Sequence, residues 1–266
     1  MKLSDLFAVE RPIIAPVALL PLPGSPRYGG RFEEILETAL EDARVLESGG
    51  VDGLSVENLG DAPYFKAEVP PETVAAMTRV LVELRRRTAL PIGVNVLRNA
   101  GRASLAVAQA GGGSFIRVNV LTEAFVTDQG IVEGIAAELM RARRLMSAER
   151  IAVFADVHVK HAAPLLQRPI RESALDLVER ALADVLVVSG SRTGHPPSVD
   201  DLRAVRDVGS VVIGSGVTAD NAEQLLPAAD GAIVATAFRV GGDVRKRVDP
   251  ERVARIVSIA GRIRSA

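Results

Sequence analysis

The sequence predicts an α/β fold, a single (β/α)8 barrel of the TIM type with eight parallel strands, over residues 1–266 as one domain. Three observations carry this. Short β-branched apolar runs alternate with longer segments of helical period eight times over, and alternating β and α segments require a parallel sheet with helical crossovers. A chain of 266 residues has the length of eight such repeats in one closed barrel. Polar residues recur on one strand face near the C-terminal ends, as Ser55/Glu57, Gly93/Asn95, Arg117/Asn119 and Asp156/His158. A doubly wound open sheet is the competing architecture, but both its faces lie under helices and would read as uniformly apolar.

The strands are expected at Ile13 to Leu19, Gly53 to Glu57, Ile92 to Val96, Phe115 to Val120, Ile151 to His158, Val185 to Ser189, Val211 to Gly214 and Gly231 to Thr236. Helices are expected between them at Phe32 to Glu47, Glu72 to Arg87, Arg102 to Ala110 and Ile131 to Met146, then at Glu172 to Leu182, Val199 to Arg206, Ala219 to Leu226 and Pro250 to Arg264. Pro70-Pro71-Glu72 and Thr218-Ala219-Asp220 are start signals, and Gly49-Gly50 and Gly111 to Gly113 are stops. The irregular stretch from Pro21 to Gly30 follows the first strand at the catalytic end, where its prolines suit either a stiff wall or lid or an ordinary surface loop.

Composition excludes several classes. With no cysteine, disulfides, thiolate metal sites and cysteine nucleophiles are ruled out. A net charge of -1 offers no global attraction to nucleic acid, and seven Phe and two Tyr without Trp leave little for base stacking. The run from Pro12 to Leu22 is interrupted by Pro16 and Pro21, so it reads neither as a signal peptide nor as an integral membrane segment. A cytoplasmic protein that forms homo-oligomers of unspecified order is the expectation.

The densest chemistry lies in Asp156-Val157-His158-Val159-Lys160-His161. Strand alternation would set Asp156, His158 and Lys160 on one face, and ionisable groups on an apolar strand are costly to bury without a task. Asp156 can orient His158 as a general base, or both can ligate a divalent metal with Glu57. Lys160 can form a Schiff base if its neighbours lower its pKa, or be a flexible exposed lysine beyond the strand. Asn95, Arg117 and Asn119 complete the reacting end, with Arg117 either clamping substrate or pairing internally with Glu57 or Asp156.

An anion site is expected beside these groups. Gly214-Ser215-Gly216 closes the seventh strand before a helix expected near Thr218, so backbone N–H groups can approach a phosphate there, unless the turn only packs a helix. Barrels often bind phosphate after strands seven and eight. Ser189, Ser191, Arg192 and Thr193 follow strand six and supply hydroxyls and a guanidinium to the neighbouring loop. The eighth strand, ending at Thr236, resembles the phosphate-binding strand of sugar-phosphate barrels, with Ala235 where those carry glycine.

Blocks along nearly the whole chain are similar to the BtpA/SgcQ family. They include Pro21-Leu22-Pro23-Gly24-Ser25-Pro26, Val51-Asp52-Gly53 leading to Val56-Glu57-Asn58, and Gly93 to Asn99. Further blocks are Phe115 to Val120, Thr127-Asp128-Gln129-Gly130, Asp156 to His161, Val188 to Gly194 and Gly214 to Thr218. The resemblance implies a barrel enzyme of undefined activity. One branch of that family is associated with photosystem I accumulation in cyanobacteria as a membrane-peripheral factor, another with sugar-utilisation gene clusters.

The resulting expectation is an enzyme acting on a phosphorylated sugar or nucleoside-derived small molecule, with isomerase-, lyase- or aldolase-like acid/base or glycosidic-bond chemistry. Asp156 and His158 would work with Glu57 or Lys160, no cofactor being required beyond a possible divalent metal. The alternative is a non-enzymatic assembly factor docking on a membrane complex. Asp156→Asn is expected to leave folding largely intact.

Overall fold

Eight parallel strands close into a barrel in the computed structural model, which describes residues 1–265. They are β1 (Ile13–Ala18), β2 (Gly53–Glu57), β3 (Ile92–Asn95) and β4 (Phe115–Val118), followed by β7 (Ala152–Asp156), β9 (Val185–Val188), β10 (Val211–Ile213) and β11 (Gly231–Ile233). The last strand pairs with the first, Ile13 facing Ala232, which removes both sheet edges. Helices α1 (Phe32–Ser48), α2 (Pro71–Arg85), α3 (Gly101–Gly111), α4 (Ala136–Leu145), α5 (Ile170–Leu175), α6 (Val199–Val205), α7 (Ala222–Leu225) and α8 (Pro250–Arg264) occupy the crossovers. Pro71 and Pro250 open α2 and α8, while Gly112, with φ of 78°, ends α3 in the left-handed region.

Alternation divides each strand between two cores. Residues such as Leu54, Val56, Val94, Ile116, Val153 and Leu186 face outward into the main core, which the helices complete. Ile14, Phe115, Phe154, Val187 and Ile233 point inward and meet Leu3 and Phe7 from the N-terminal segment, which plugs the lower end. The rings of Phe115 and Phe154 stack with centroids 4.5 Å apart. Glycine makes room for this plug. An added Cβ at Gly93 would lie 2.0 Å from Phe115 Cε2, and one at Gly53 would lie 2.6 Å from Phe7 Cε1.

The structure revises the expected elements in four places. The helix expected at Ile131 to Met146 begins only at Ala136. Residues before it form a hairpin of β5 (Ala124–Thr127) and β6 (Gly130–Glu133), joined in an antiparallel three-stranded sheet by β8 (Ala163–Pro164). Gly130, with φ of 90°, closes the tight turn that runs from Thr127 to Gly130. The strand carrying Asp156 stops at that residue, so the alternation does not extend to His158 and Lys160. The helix after β10 is only Ala222–Leu225, because the Asn221 side chain accepts from Thr218 N–H and donates to Gly216 O, holding the preceding residues in a turn. The fifth crossover helix passes from α5 into a wider turn over Asp176–Arg180. The Pro21 to Gly30 loop is anchored, Leu22 N–H donating to Asp61 Oδ1 at 2.8 Å and Gly60 packing on the backbone at Pro21, but none of its residues lines the active-site cavity described below.

Candidate active site

The inward residues change from apolar to polar at the C-terminal end of the barrel. Glu57 on β2, Asn95 on β3, and Arg117 and Asn119 at the end of β4 line a cavity of about 540 Å3 with Lys160 and Thr193. Glu57 and Asn95 are register neighbours. Asp156 is fully buried and does not itself line the cavity, but it fixes two residues that do. Its carboxylate accepts from Arg117 Nε at 3.0 Å, from Arg117 Nη2 at 3.2 Å and from Asn119 Nδ2 at 2.8 Å. A bidentate pair with an extra donor is what a buried arginine and aspartate need to offset their desolvation. Glu57 is also buried but has no ion pair among the described residues, its only side-chain hydrogen bond being the one from Ser55 Oγ at 3.3 Å. Asn119 Oδ1 is buried without a donor, an unused acceptor in the cavity lining.

His158 stands apart. Past the end of its strand, it directs Nε2 to Ser173 Oγ on α5 at 3.4 Å, so the expected Asp156–His158 pair is not formed. Glu57, Asp156 and His158 therefore do not assemble a metal site, and no cluster of three metal-ligating side chains occurs among the described residues. The donor set does not fit a resident divalent ion.

Lys160, by contrast, faces the cavity, and its carbonyl accepts from Arg98 Nη2 at 2.5 Å. Burial holds its amine down to about 8, and the Arg117 guanidinium acts in the same direction. Glu57 and Asp156 oppose that shift without cancelling it.

Four further polar residues of the lining, Tyr64, Arg98, Asp128 and His161, were assigned no role from the sequence. Arg98, buried after β3, has its basicity lowered by burial. Tyr64, on the loop after β2, is pushed up to about 12 by burial and by the Glu57 carboxylate, so its phenol stays protonated. Asp128 reaches the mouth from the hairpin turn. His161 accepts from Thr193 N–H through Nε2 at 3.2 Å and lies 2.8 Å from Thr193 Oγ1. Burial, then Lys160, lower its pKa, in keeping with an unprotonated Nε2. Arg98, Asp128 and His161 fall inside the motif blocks given above; Tyr64, a lone aromatic in a proline-rich loop, had no signal.

The loops after β9, β10 and β11 meet along one side. An added Cβ on Gly214 would lie 2.3 Å from Ser189 Oγ and 3.2 Å from Arg117 Nη2, which ties this region to the polar floor. Gly216, with φ of 79°, packs against the backbone of His195 and Pro196. Ser215 Oγ donates to His195 O at 2.9 Å, and Gly194 lies beside Thr236. Among the described residues the N–H groups of Ser215, Gly216, Val217 and Ala235 find no acceptor, and Ser189 Oγ is buried without a partner. These donors belong to loops, since α7 begins only at Ala222. Ser191 and Arg192 are exposed on the rim.

Arg98, Arg117 and Lys160 stand against three carboxylates, Glu57, Asp128 and Asp156, so the charges of the site are close to balanced, with the guanidiniums as its permanent cations. The site can hold an anion, polarise an oxygen and move protons through Glu57 and Lys160.

Comparison with known proteins gives this arrangement its relatives. The photosystem I biogenesis protein BtpA of Synechocystis is 44% identical over 260 residues, covering 97% of this chain and 90% of that protein. Among solved structures, N-(5'-phosphoribosyl)anthranilate isomerase from Pyrococcus furiosus superposes with a TM-score of 0.59 at 13% identity, covering 95% of this chain and 99% of that one. Thiamine phosphate pyrophosphorylase from Pyrococcus furiosus gives 0.58 at 16% identity, covering 95% and 96%. At such identities the two enzymes share the barrel alone. Residues 9–262 match the model of the BtpA family, and the chain belongs to that family.

Proposed function

We propose that this protein is an enzyme acting on a phosphorylated sugar or nucleoside-derived small molecule by acid/base chemistry. The observation that carries the reading is one cavity where Glu57, Arg98, Arg117 and Lys160 converge, with the loop after β10, whose N–H groups find no acceptor among the described residues, packed beside Arg117 at Gly214. The phosphate would rest on Ser215, Gly216 and Val217 N–H, with Ser189, Thr193 and Thr236 hydroxyls beside it and Ser191 and Arg192 at the entrance. The reacting carbon would lie over Glu57, Asn95 and Lys160. Arg117 and Asn119, fixed by Asp156, would hold a substrate oxygen. His158 is given no role beyond packing. Both superposed enzymes bear phosphate-containing names, which is consistent with this reading at the level of the fold.

A thermal-shift screen tests it, because a ligand bound only by the native state raises the melting temperature. The compounds are inorganic phosphate, sugar phosphates and nucleotides, with and without divalent metal. A rise with one phosphorylated class, reduced in Arg192→Ala, is the expected result. No shift with any of them would refute it.

A docking role is the second reading, favoured by one patch. Val126 and Ile131 pair across the hairpin and are each 46% exposed, and Leu165 and Leu166 beyond β8 are more exposed still. An apolar face on an appended sheet suits a protein partner, and the Synechocystis relative is named for photosystem I biogenesis. No helix among the described residues is long and apolar enough to cross a membrane, so attachment to a membrane complex would be peripheral.

A further inference from the structure

The chain uses arginine almost wherever it needs a cation. Of 32 basic residues only four are lysines, at positions 2, 66, 160 and 246. Only Lys160 lies in the active-site cavity, between two buried arginines, Arg98 and Arg117. An arginine would serve better for holding an anion, because its fork is planar and always charged. A lysine differs in that it can lose its proton and become a nucleophile.

The setting agrees with that use. Among the described residues Lys160 Nζ makes no hydrogen bond and no ion pair, although the carboxylates of Glu57 and Asp156 lie nearby. Asp156 is already saturated by Arg117 and Asn119. The Arg98 bond to the Lys160 carbonyl anchors its backbone at the mouth. We infer that Lys160 is a covalent catalytic residue which forms a Schiff base with a ketone or aldehyde substrate.

This rests on the enzyme reading above and narrows its substrate to a carbonyl compound. The Nζ lone pair attacks the carbonyl carbon, a C–N bond forms, and the carbonyl π pair moves to oxygen, which takes up a proton. The nitrogen then releases a proton, the hydroxyl is protonated and leaves as water, and the C=N bond forms with its nitrogen protonated. The balance is amine plus carbonyl plus one proton giving iminium plus water. Glu57, buried and without an ion pair, carries protons between nitrogen and oxygen. The groups that face the amine are Glu57 from β2, Arg98 after β3, Arg117 from β4, Asp156 from β7 and the adjacent His161. Burial and the two guanidiniums keep the neutral amine accessible: at pH 8 about half the Lys160 side chains are deprotonated, against fewer than about 1 in 100 for an ordinary lysine.

The test is reductive trapping. The protein is incubated with dihydroxyacetone phosphate, or with dihydroxyacetone, in the presence of sodium borohydride, and its peptides are mapped by mass spectrometry. Each of the four lysines reports separately. The expected result is an adduct at Lys160 about tenfold above those at Lys2, Lys66 and Lys246, formed at a rate that rises through pH 8 and lost in Lys160→Arg. Equal labelling of all four lysines, or none at Lys160 with either ketone, overturns the inference, and the unsubstituted chain suffices to decide it. If Lys160 is not labelled while inorganic phosphate still raises the melting temperature, the covalent role falls and the phosphate site stands. Labelling at Lys160 without any thermal shift from phosphate keeps the covalent role and removes the phosphate.

Discussion

Arg117 and Asp156 lie on neighbouring barrel strands and form a two-pronged ion pair, Nε to Oδ1 at 3.0 Å and Nη2 to Oδ2 at 3.2 Å, with both side chains almost fully removed from solvent. Asp156 is therefore not a free base. Its carboxylate neutralises Arg117, orients Asn119 and leaves the remaining guanidinium surface for the cavity.

The pair corrects the expectation that Asp156→Asn would leave folding largely intact. Removing the charge strands a buried guanidinium, and breaking a buried pair costs about 3–5 kcal/mol. Urea denaturation of Asp156→Asn should show a loss of that order. The double variant Arg117→Met with Asp156→Leu should recover most of it, whereas unchanged stability in Asp156→Asn alone would contradict the geometry.

Lys160 sets a pH dependence of known sign. Its folded-state pKa, about 8, lies below the ordinary 10.5, so between those values the unfolded chain binds more protons than the native one. Stability therefore rises as pH increases from 8 to 10.5, and below pH 8 the charged amine costs the fold at most about 3 kcal/mol. Lys160→Met should be more stable than the natural chain at pH 7, with the difference shrinking above pH 8. Paired denaturation curves at pH 7 and pH 10 check this; a constant difference would mean that the amine is well solvated.

Gly93→Ala should destabilise the lower half of the barrel. The new methyl would meet Phe115 Cε2 at 2.0 Å and Cζ at 2.3 Å, and the ring is stacked on Phe154 with little room to retreat. Overpacking of this kind costs about 1–3 kcal/mol. Phe115→Leu in the same chain should relieve part of the loss, measured as a double-mutant cycle in the denaturation midpoint.

Much of the barrel was legible because its signals are local. Apolar runs, proline starts and glycine stops gave the eight repeats, and strand alternation carried Glu57, Asn95 and Arg117 to the inner face. Ile131 to Glu133 of β6 carry a helical signal because Ile131 to Met146 holds apolar residues at helical spacing, and the partner that makes them a strand lies upstream, at Ala124 to Thr127. Once Asp156 ended its strand, parity could no longer predict where His158 and Lys160 would point.

By itself the sequence determined the periodicities, the polarity of the inner face and the order of the loops, all properties of residues a few positions apart. Tertiary structure alone decided which charges neutralise each other. Arg117 and Asp156 are 39 positions apart, and Arg98 lies 62 positions from the Lys160 carbonyl it binds; only barrel closure brings them into contact. That meeting point, which no local pattern encodes, occupies Asp156 with Arg117 and Asn119 and lowers the pKa of Lys160 by desolvation, while the strand end at Asp156 turns His158 out of the site.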